Sequence, residues 1–237
     1  SGTSVVSQWL SKCELNLGDR FAKPGMSNPR GFFEDLDFLH MHEKALSYFN
    51  IENTGLIPPF NLELTDHQLN QLQQLIDIKN SNNDQWGWKE PRTCLFVKYY
   101  KSLIPNAKYF ILYRDYPFVV ESLVRRDIES LKLKYSKLSL DEQFKQIDTF
   151  EETGKKILSL INTYLSTWIT YNQNILYLMS SLINEDYLVV KYTDLINRDE
   201  AIFKKRTEWK FKLTFHPFTS VFSSKLINED LPEITFD

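Results

Sequence analysis

The chain has 237 residues and a formal net charge of −3, with 42% hydrophobic and 25% charged residues. This length suits one large domain or two small ones, and the composition is that of an ordinary globular protein. The acidic balance disfavours a general nucleic-acid binder, and no apolar run is as long as a membrane span. Two cysteines make no disulfide framework, so we expect a cytoplasmic protein with a single domain over residues 1–237.

Helical and strand patterns alternate along the chain, which predicts an α/β fold with a mostly parallel central sheet flanked by helices. The predicted helices cover 3–13, 36–49, 65–78 with Thr65 as N-cap, 94–104, a segment after Arg114 with Pro117 in its first turn, and 140–182. The predicted strands cover 86–89, 108–113 and 187–191. Of these, 108–113 is apolar enough to be buried on both faces. Turns or loops are expected at 28–31 and 79–84, and an irregular tail from His216.

The first four residues, Ser1, Gly2, Thr3 and Ser4, stand directly before an amphipathic helix. A helix N-terminus offers unpaired backbone N–H groups and a partial positive charge. Glycine lets the backbone approach a phosphate closely, and hydroxyl groups add donors. The segment therefore fits an anion-binding loop, although a simple helix cap has the same residue types.

Arg114 ends a predicted buried strand, and Ser122 follows eight residues later. Ligands of open α/β sheets bind at the carboxyl ends of strands, where Arg114 is expected. An arginine fork and a serine hydroxyl on the next helix suit a phosphate group. The alternative is an ordinary surface arginine with a solvated serine.

The order of these segments resembles the sulfotransferase family, in particular its bacterial members. The Ser-Gly-Thr-Ser loop and the later Arg/Ser pair resemble the two phosphate-binding motifs of that family. Three further segments fit in order and rough spacing, which extends the resemblance from Ser1 to about Leu195. They are Ser27–Asp35 (SNPRGFFED), Trp86–Thr93 (WGWKEPRT) and Val190–Leu195 (VKYTDL).

The resemblance implies a three-layer P-loop NTPase-like fold and 3′-phosphoadenosine 5′-phosphosulfate (PAPS) as co-substrate, without a metal. The loop from Ser1 to Ser4 would hold the 5′-phosphosulfate, and Arg114 with Ser122 the 3′-phosphate. Tyr192 would lie near the adenine. Lys89 would sit beside the transferring sulfuryl group, and Glu34 would act as general base.

The chemistry of sulfuryl transfer asks for the same residue types, because an in-line displacement depends on positioning and charge stabilisation. A carboxylate can take the proton of the acceptor. Structural alternatives remain for each residue at this point. Asp35 competes with Glu34 as base and as helix cap, and Lys89 has Glu34 and Glu90 as neighbouring partners. Arg92 is a phosphate ligand or an ion-pair partner.

The sequence departs from the family pattern at both ends. Family members have a strand and a basic residue before the first loop, so we expect the chain to be truncated there, with its first strand missing. No clean match exists for the basic loop that closes the nucleotide site, for which the candidates are Lys204, Lys205, Arg206 and Lys225. We expect the Lys-Lys-Arg cluster to be a solvated helix face.

The partner is expected to be a small-molecule or carbohydrate acceptor whose identity the sequence does not give. Two alternatives stay open: a kinase-like nucleotide phosphotransferase, and a non-catalytic nucleotide-binding module. His40 and His42 stand two apart on a predicted helix and make a poor metal pair.

Overall fold

The computed structural model describes residues 2–23, 31–56, 62–139 and 150–222. Its elements follow in the order α1 (Thr3–Lys12), α2 (Leu36–Tyr48), α3 (Asp66–Asn82), α4 (Thr93–Leu103), β1 (Tyr109–Tyr113), α5 (Tyr116–Tyr135), α6 (Phe150–Ser180), β2 (Tyr187–Lys191), α7 (Asp194–Thr207) and a 3-10 turn (Phe218–Ser220). The predictions for α1, α2, α4 and β2 are confirmed to within one residue. None of these helices combines the length and apolarity that a membrane crossing requires.

The sheet consists, in the described part of the chain, of β1 and β2 alone. The strands are parallel, with Tyr109 opposite Tyr187 and Tyr113 opposite Lys191. A helix-rich α/β fold is thus confirmed, whereas the broad central sheet of a three-layer fold is not seen in these residues. Parallel strands need a long crossover, and α5 and α6 lie in the connection between β1 and β2.

Strand β1 is half-buried over Tyr109–Leu112 and exposed at Tyr113, so the expectation of burial on both faces is wrong. Phe110 and Leu112 pack into an apolar cluster, whereas Tyr113 on the opposite face is 40% exposed. Successive side chains of a strand point to opposite faces, and β2 repeats the pattern, with Val190 buried and Val189 exposed. The sheet therefore has one apolar core face.

Three apolar clusters hold the helices together. The first joins α1, β2, α7 and the 3-10 turn around the buried Trp9 and Phe218. The second joins α2, α3 and α4 around Phe38 and Phe96. The third lies between α5 and α6 around Tyr164. Helix α1 is thus packed firmly against the sheet, which fixes the position of its first turn.

Helix α3 begins as predicted, because Thr65 and Gln68 form a capping box at its start. It continues through Asn82, so the predicted loop at 79–84 is wrong for residues 79–82. The Lys79 ammonium binds the carboxylates of Asp35 (2.8 Å) and Asp37 (2.9 Å). These tertiary ion pairs stabilise an extra helical turn in a segment whose polar residues indicated a loop.

The segment 86–89 is not a strand. Trp86 makes a single bridge to Asn16, and the indole of Trp88 stacks on Phe38 with ring centres 4.2 Å apart. Aromatic packing rather than a hydrogen-bonded ladder therefore holds this segment.

The remaining predictions concern the C-terminal third and two segments that are largely not described. Helix α7 contains the Lys-Lys-Arg cluster that was expected on a helix face, although its bounds were not predicted, and a 3-10 turn interrupts the irregular tail. The predicted turn at 28–31 and the first residues of the predicted helix 140–182 lie mostly outside the described residues.

Candidate functional site

The first turn of α1 carries the candidate anion-binding loop; Ser1 itself lies outside the described residues. Gly2 caps the helix with a left-handed backbone (φ +81°), and it has no side chain that could accept from the first-turn amides. A side chain at Gly2 would also collide with the ring of Tyr192. Glycine is therefore required by conformation and by space.

Tyr192 and Arg114 leave the sheet at the same edge, directly after β2 and β1. The Tyr192 amide donates to the Tyr113 carbonyl (3.1 Å), which continues the parallel pairing by one residue. The Arg114 guanidinium lies 5.8 Å from the centre of the Tyr192 ring and 5.4 Å from that of Phe118. Among the described residues no carboxylate pairs with this guanidinium. The structure thus brings Gly2, Tyr192 and Arg114 into one contiguous group.

The hydroxyl of Tyr192 stays protonated at neutral pH. Burial raises its pKa, while the charge of Arg114 acts in the opposite direction. The ring is only 8% exposed, so it offers an apolar face between the helix start and the arginine. Cation and ring attract each other, which holds the guanidinium in place without neutralising it.

A second group reaches the same helix start through Ser4. The Lys89 ammonium donates to Glu34 Oε1 (2.7 Å), to the Phe32 carbonyl (3.1 Å) and to Ser4 Oγ (3.4 Å). Both charged side chains are 13% exposed. Burial lowers the pKa of Lys89, and the Glu34 charge opposes that shift. Ser4, Lys89 and Glu34, predicted separately from the sequence, therefore meet.

The segment before α2 separates the two neighbouring carboxylates. Asp35 points inward and caps α2, accepting from the Asp37 amide (2.8 Å), while Glu34 points to Lys89. The Glu34 carbonyl accepts from the Ala22 amide (3.0 Å), which ties this segment to the chain after α1. Of the two alternatives left open by the sequence, the helix cap is Asp35, and the assignment of Glu34 as general base stays a prediction.

Gly18 is the second position where glycine is required. Its φ is +121°, and a Cβ there would overlap the carboxylate of Asp35. The close approach lets Asp35 sit beneath the loop that follows α1, beside Lys79. This packing fixes the start of α2 and with it the backbone of Glu34.

The sequence did not reveal the partners of the residue after Lys89. Glu90 is buried and binds His42 Nδ1 (2.5 Å) through one oxygen and Arg92 through the other. Arg92 also donates to the Asn53 carbonyl (2.6 Å), so it is an ion-pair and loop anchor in this structure. The only indication in the sequence that Glu90 matters was its position beside Lys89. For His42 the sequence indicated nothing beyond its place on a helix.

The remaining predicted residues lie on α1, α5 and α7 or outside the described residues. Ser122 is exposed on α5, and no hydrogen bond joins it to Arg114 within the described ranges. Thr3 is the first residue of α1. The side chain of Lys204 is 76% exposed on α7 and pairs with Glu200, while Lys225 lies outside the described residues.

Two groups thus reach the first turn of α1. Gly2 lies against Tyr192, whose ring lies beside the Arg114 guanidinium. Ser4 lies within hydrogen-bond distance of Lys89, which pairs with Glu34. Within the described ranges, no three His, Cys, Asp or Glu side chains are grouped so as to hold a metal ion.

The chain matches no known family model and no curated protein sequence. Among solved structures, it is similar to the sulfotransferase domain from the curacin biosynthetic pathway, with 18% identity and a TM-score of 0.43. The similar region covers 75% of this chain and 56% of that domain, so the chain spans little more than half the length of its solved counterpart. A likeness of this extent assigns neither a family nor an activity.

Proposed function

We propose that this protein is a sulfotransferase that moves a sulfuryl group from PAPS to a hydroxyl or amine acceptor. The observation that carries the proposal is the meeting of two groups at the first turn of α1. Arg114, Tyr192 and Gly2 form one group, and Lys89, Glu34 and Ser4 form the other. Five of these residues come from five separate sequence motifs, and the sixth, Ser4, belongs to the same loop as Gly2.

The first group suits the nucleotide half of the donor. Arg114, which has no carboxylate partner among the described residues, can bind a phosphate through two parallel hydrogen bonds. The neutral ring of Tyr192 lies beside this guanidinium, which supports an adenine position nearby. We assign the 3′-phosphate to Arg114 and the adenine neighbourhood to Tyr192, with the 5′-phosphosulfate over Gly2, Thr3 and Ser4.

The second group suits the reacting centre. The acceptor oxygen or nitrogen forms a bond to sulfur while the bond from sulfur to the phosphate oxygen breaks, and the electron pair leaves on 3′-phosphoadenosine 5′-phosphate. We assign to Lys89 the stabilisation of the charge that builds on the leaving oxygen. Glu34 takes the acceptor proton. Only one Glu34 oxygen is engaged by Lys89.

Calorimetry with 3′-phosphoadenosine 5′-phosphate is the first test, and transfer of labelled sulfate from PAPS to a panel of alcohols, amines and sugars is the second. Binding followed by transfer supports the proposal. Absence of binding refutes it. Binding without transfer to any acceptor favours a non-catalytic nucleotide-binding module, and a magnesium-dependent preference for ATP favours a kinase-like phosphotransferase.

A further inference from the structure

The chain around Lys89 has no hydrogen-bonded ladder to hold it. Trp86 makes one isolated bridge, and the Gly87 amide donates to the Asn16 carbonyl (2.9 Å). Beyond that point no strand pairing fixes residues 88 and 89 in the described structure. The direction of the lysine side chain must therefore be set by its neighbours.

Glu90 is the neighbour best placed to do so. It lies next to Lys89 but points the other way, into the core, where its side chain is fully buried. Both carboxylate oxygens are occupied, one by His42 and one by Arg92, and its backbone carbonyl accepts from the Thr93 amide (3.0 Å). A side chain held at both oxygens fixes the backbone on which Lys89 is mounted.

His42 connects this anchor to the rigid core of α2 and α4. Its ring is 1% exposed and stacks on Phe96 at 4.4 Å between ring centres. The second ring nitrogen, Nε2, lies 2.7 Å from the Tyr100 hydroxyl. If the hydroxyl donates to Nε2, the proton of the neutral ring is on Nδ1 and is donated to Glu90.

The charges are consistent with this direction of hydrogen bonds. Burial lowers the pKa of His42, so the ring is neutral at neutral pH. Burial alone would raise the pKa of Glu90, but the His42 hydrogen bond and the Arg92 charge bring it below its usual value. Glu90 is thus an ionised acceptor between two donors, which is the arrangement with the strongest hydrogen bonds.

We propose that Glu90, oriented by His42 and Arg92, is a positioning residue that holds the Lys89 ammonium against Ser4 and Glu34. The catalytic meaning of this arrangement rests on the proposed function, whereas the geometry can be tested without it. Because no hydrogen bond, ion pair or ring contact joins these three residues to Arg114 or Tyr192 in the described structure, we expect them to act on the reacting centre and not on nucleotide binding.

The test is the rate at which N-acetoxysuccinimide acetylates Lys89, followed by peptide mass spectrometry. Two variants form a matched pair. His42→Phe keeps a ring against Phe96 but removes the donor to Glu90, and His42→Asn keeps an N–H donor near the Nδ1 position. We expect acetylation of Lys89 to rise on the order of tenfold in His42→Phe, as for a lost hydrogen bond to a charged group, and to stay close to wild type in His42→Asn.

Lys108, which pairs with Asp186 (2.5 Å) just before β1, is the control lysine. Its acetylation rate rises if a substitution loosens the whole structure. A rise at Lys89 with Lys108 unchanged supports the proposal. An equal rise at both lysines, or no rise at Lys89, overturns it. If His42→Phe does not fold, Arg92→Met removes the other bond to Glu90 and must raise acetylation of Lys89 in the same selective way.

If the protein transfers sulfate, His42→Phe is expected to lower kcat while leaving the KM for PAPS within about threefold, because the nucleotide contacts lie elsewhere. Absence of transfer in the wild type would contradict the proposed function alone, since the acetylation result does not depend on turnover. If His42→Phe shows raised acetylation of Lys89 but the kcat of wild type, the positioning role is overturned.

Discussion

The assignment of Arg114 to the 3′-phosphate makes the sharpest prediction. Arg114→Ala removes a guanidinium that has no carboxylate partner among the described residues and lies over the rings of Tyr192 and Phe118. A hydrogen bond between charged groups contributes about 1.5–3 kcal/mol. We therefore expect the Kd for 3′-phosphoadenosine 5′-phosphate to rise about 10- to 150-fold.

The effect on folding is expected to be smaller than the effect on binding. Two cation–π contacts at a partly exposed site contribute roughly 0.5–1 kcal/mol each, so Tm should fall by only a few degrees in a protein of this size. Calorimetry on the folded variant thus separates a lost ligand contact from lost structure. Adenosine 5′-phosphate, which lacks the 3′-phosphate, should bind wild type and Arg114→Ala with similar affinity.

Two further variants control the interpretation. Arg114→Lys keeps a charge but loses the planar fork, so its affinity should lie between those of wild type and Arg114→Ala. Arg20→Ala removes a surface arginine that pairs with Asp37 and should bind the nucleotide as wild type does. An unchanged affinity in Arg114→Ala would refute the assigned 3′-phosphate site.

Three other changes test the site and its support. Glu34→Gln should lower transfer by about 10²- to 10⁴-fold, the usual contribution of a general base, while nucleotide affinity stays within about threefold. Gly18→Ala should lower the free energy of unfolding by about 3 kcal/mol or more, because the φ of +121° and the overlap with Asp35 both oppose a side chain. Thermal melts should show that Tm falls by roughly 6–12 °C. Burial lowers the pKa of His42 from its ordinary 6.5. As the pH falls from about 7 to 5, the unfolded chain therefore takes up a proton that the folded chain resists, and stability is lost by up to about 1.4 kcal/mol per pH unit. In denaturant titrations His42→Asn should lack that part of the loss.

Each of these results has a control. Glu63→Gln alters an exposed carboxylate paired with Lys98 and should leave transfer intact; equal losses in both glutamate variants would contradict the role of Glu34. Gly154→Ala meets nothing within 4 Å and should leave stability unchanged or slightly raised, so a similar drop there would remove the argument for Gly18. Parallel pH profiles for wild type and His42→Asn would show that the buried histidine does not resist protonation.

The sequence predicted most helices and the two strands, because their apolar spacing repeats at the period of each element. It also identified Gly2, Arg114 and Tyr192, which stand at the ends of those elements. The sequence-based prediction was wrong where contacts with distant side chains decide the local structure. Polar residues at 79–84 indicated a loop, but the ion pairs of Lys79 with Asp35 and Asp37 favour helix there.

The roles of neighbouring charged residues could not be assigned from the chain alone. Glu34 and Asp35 are adjacent and chemically equivalent in sequence, yet one faces Lys89 and the other caps α2. The same holds for Lys89 and Glu90, which point in opposite directions. Side-chain direction in these short extended segments depends on what packs around them, and that packing is not local.

The amino-acid sequence by itself thus singled out candidates for binding an anion, stabilising charge and taking a proton, and these roles stay predictions. Only the tertiary structure decided that these residues form two groups, one reaching the first turn of α1 through Gly2 and the other through Ser4. It also revealed the buried support behind Lys89, from Glu90 to His42. The physical reason is that hydrogen bonds and ion pairs among buried groups depend on distance in space, and residues 34, 42 and 90 are brought together only when α2 and α4 pack.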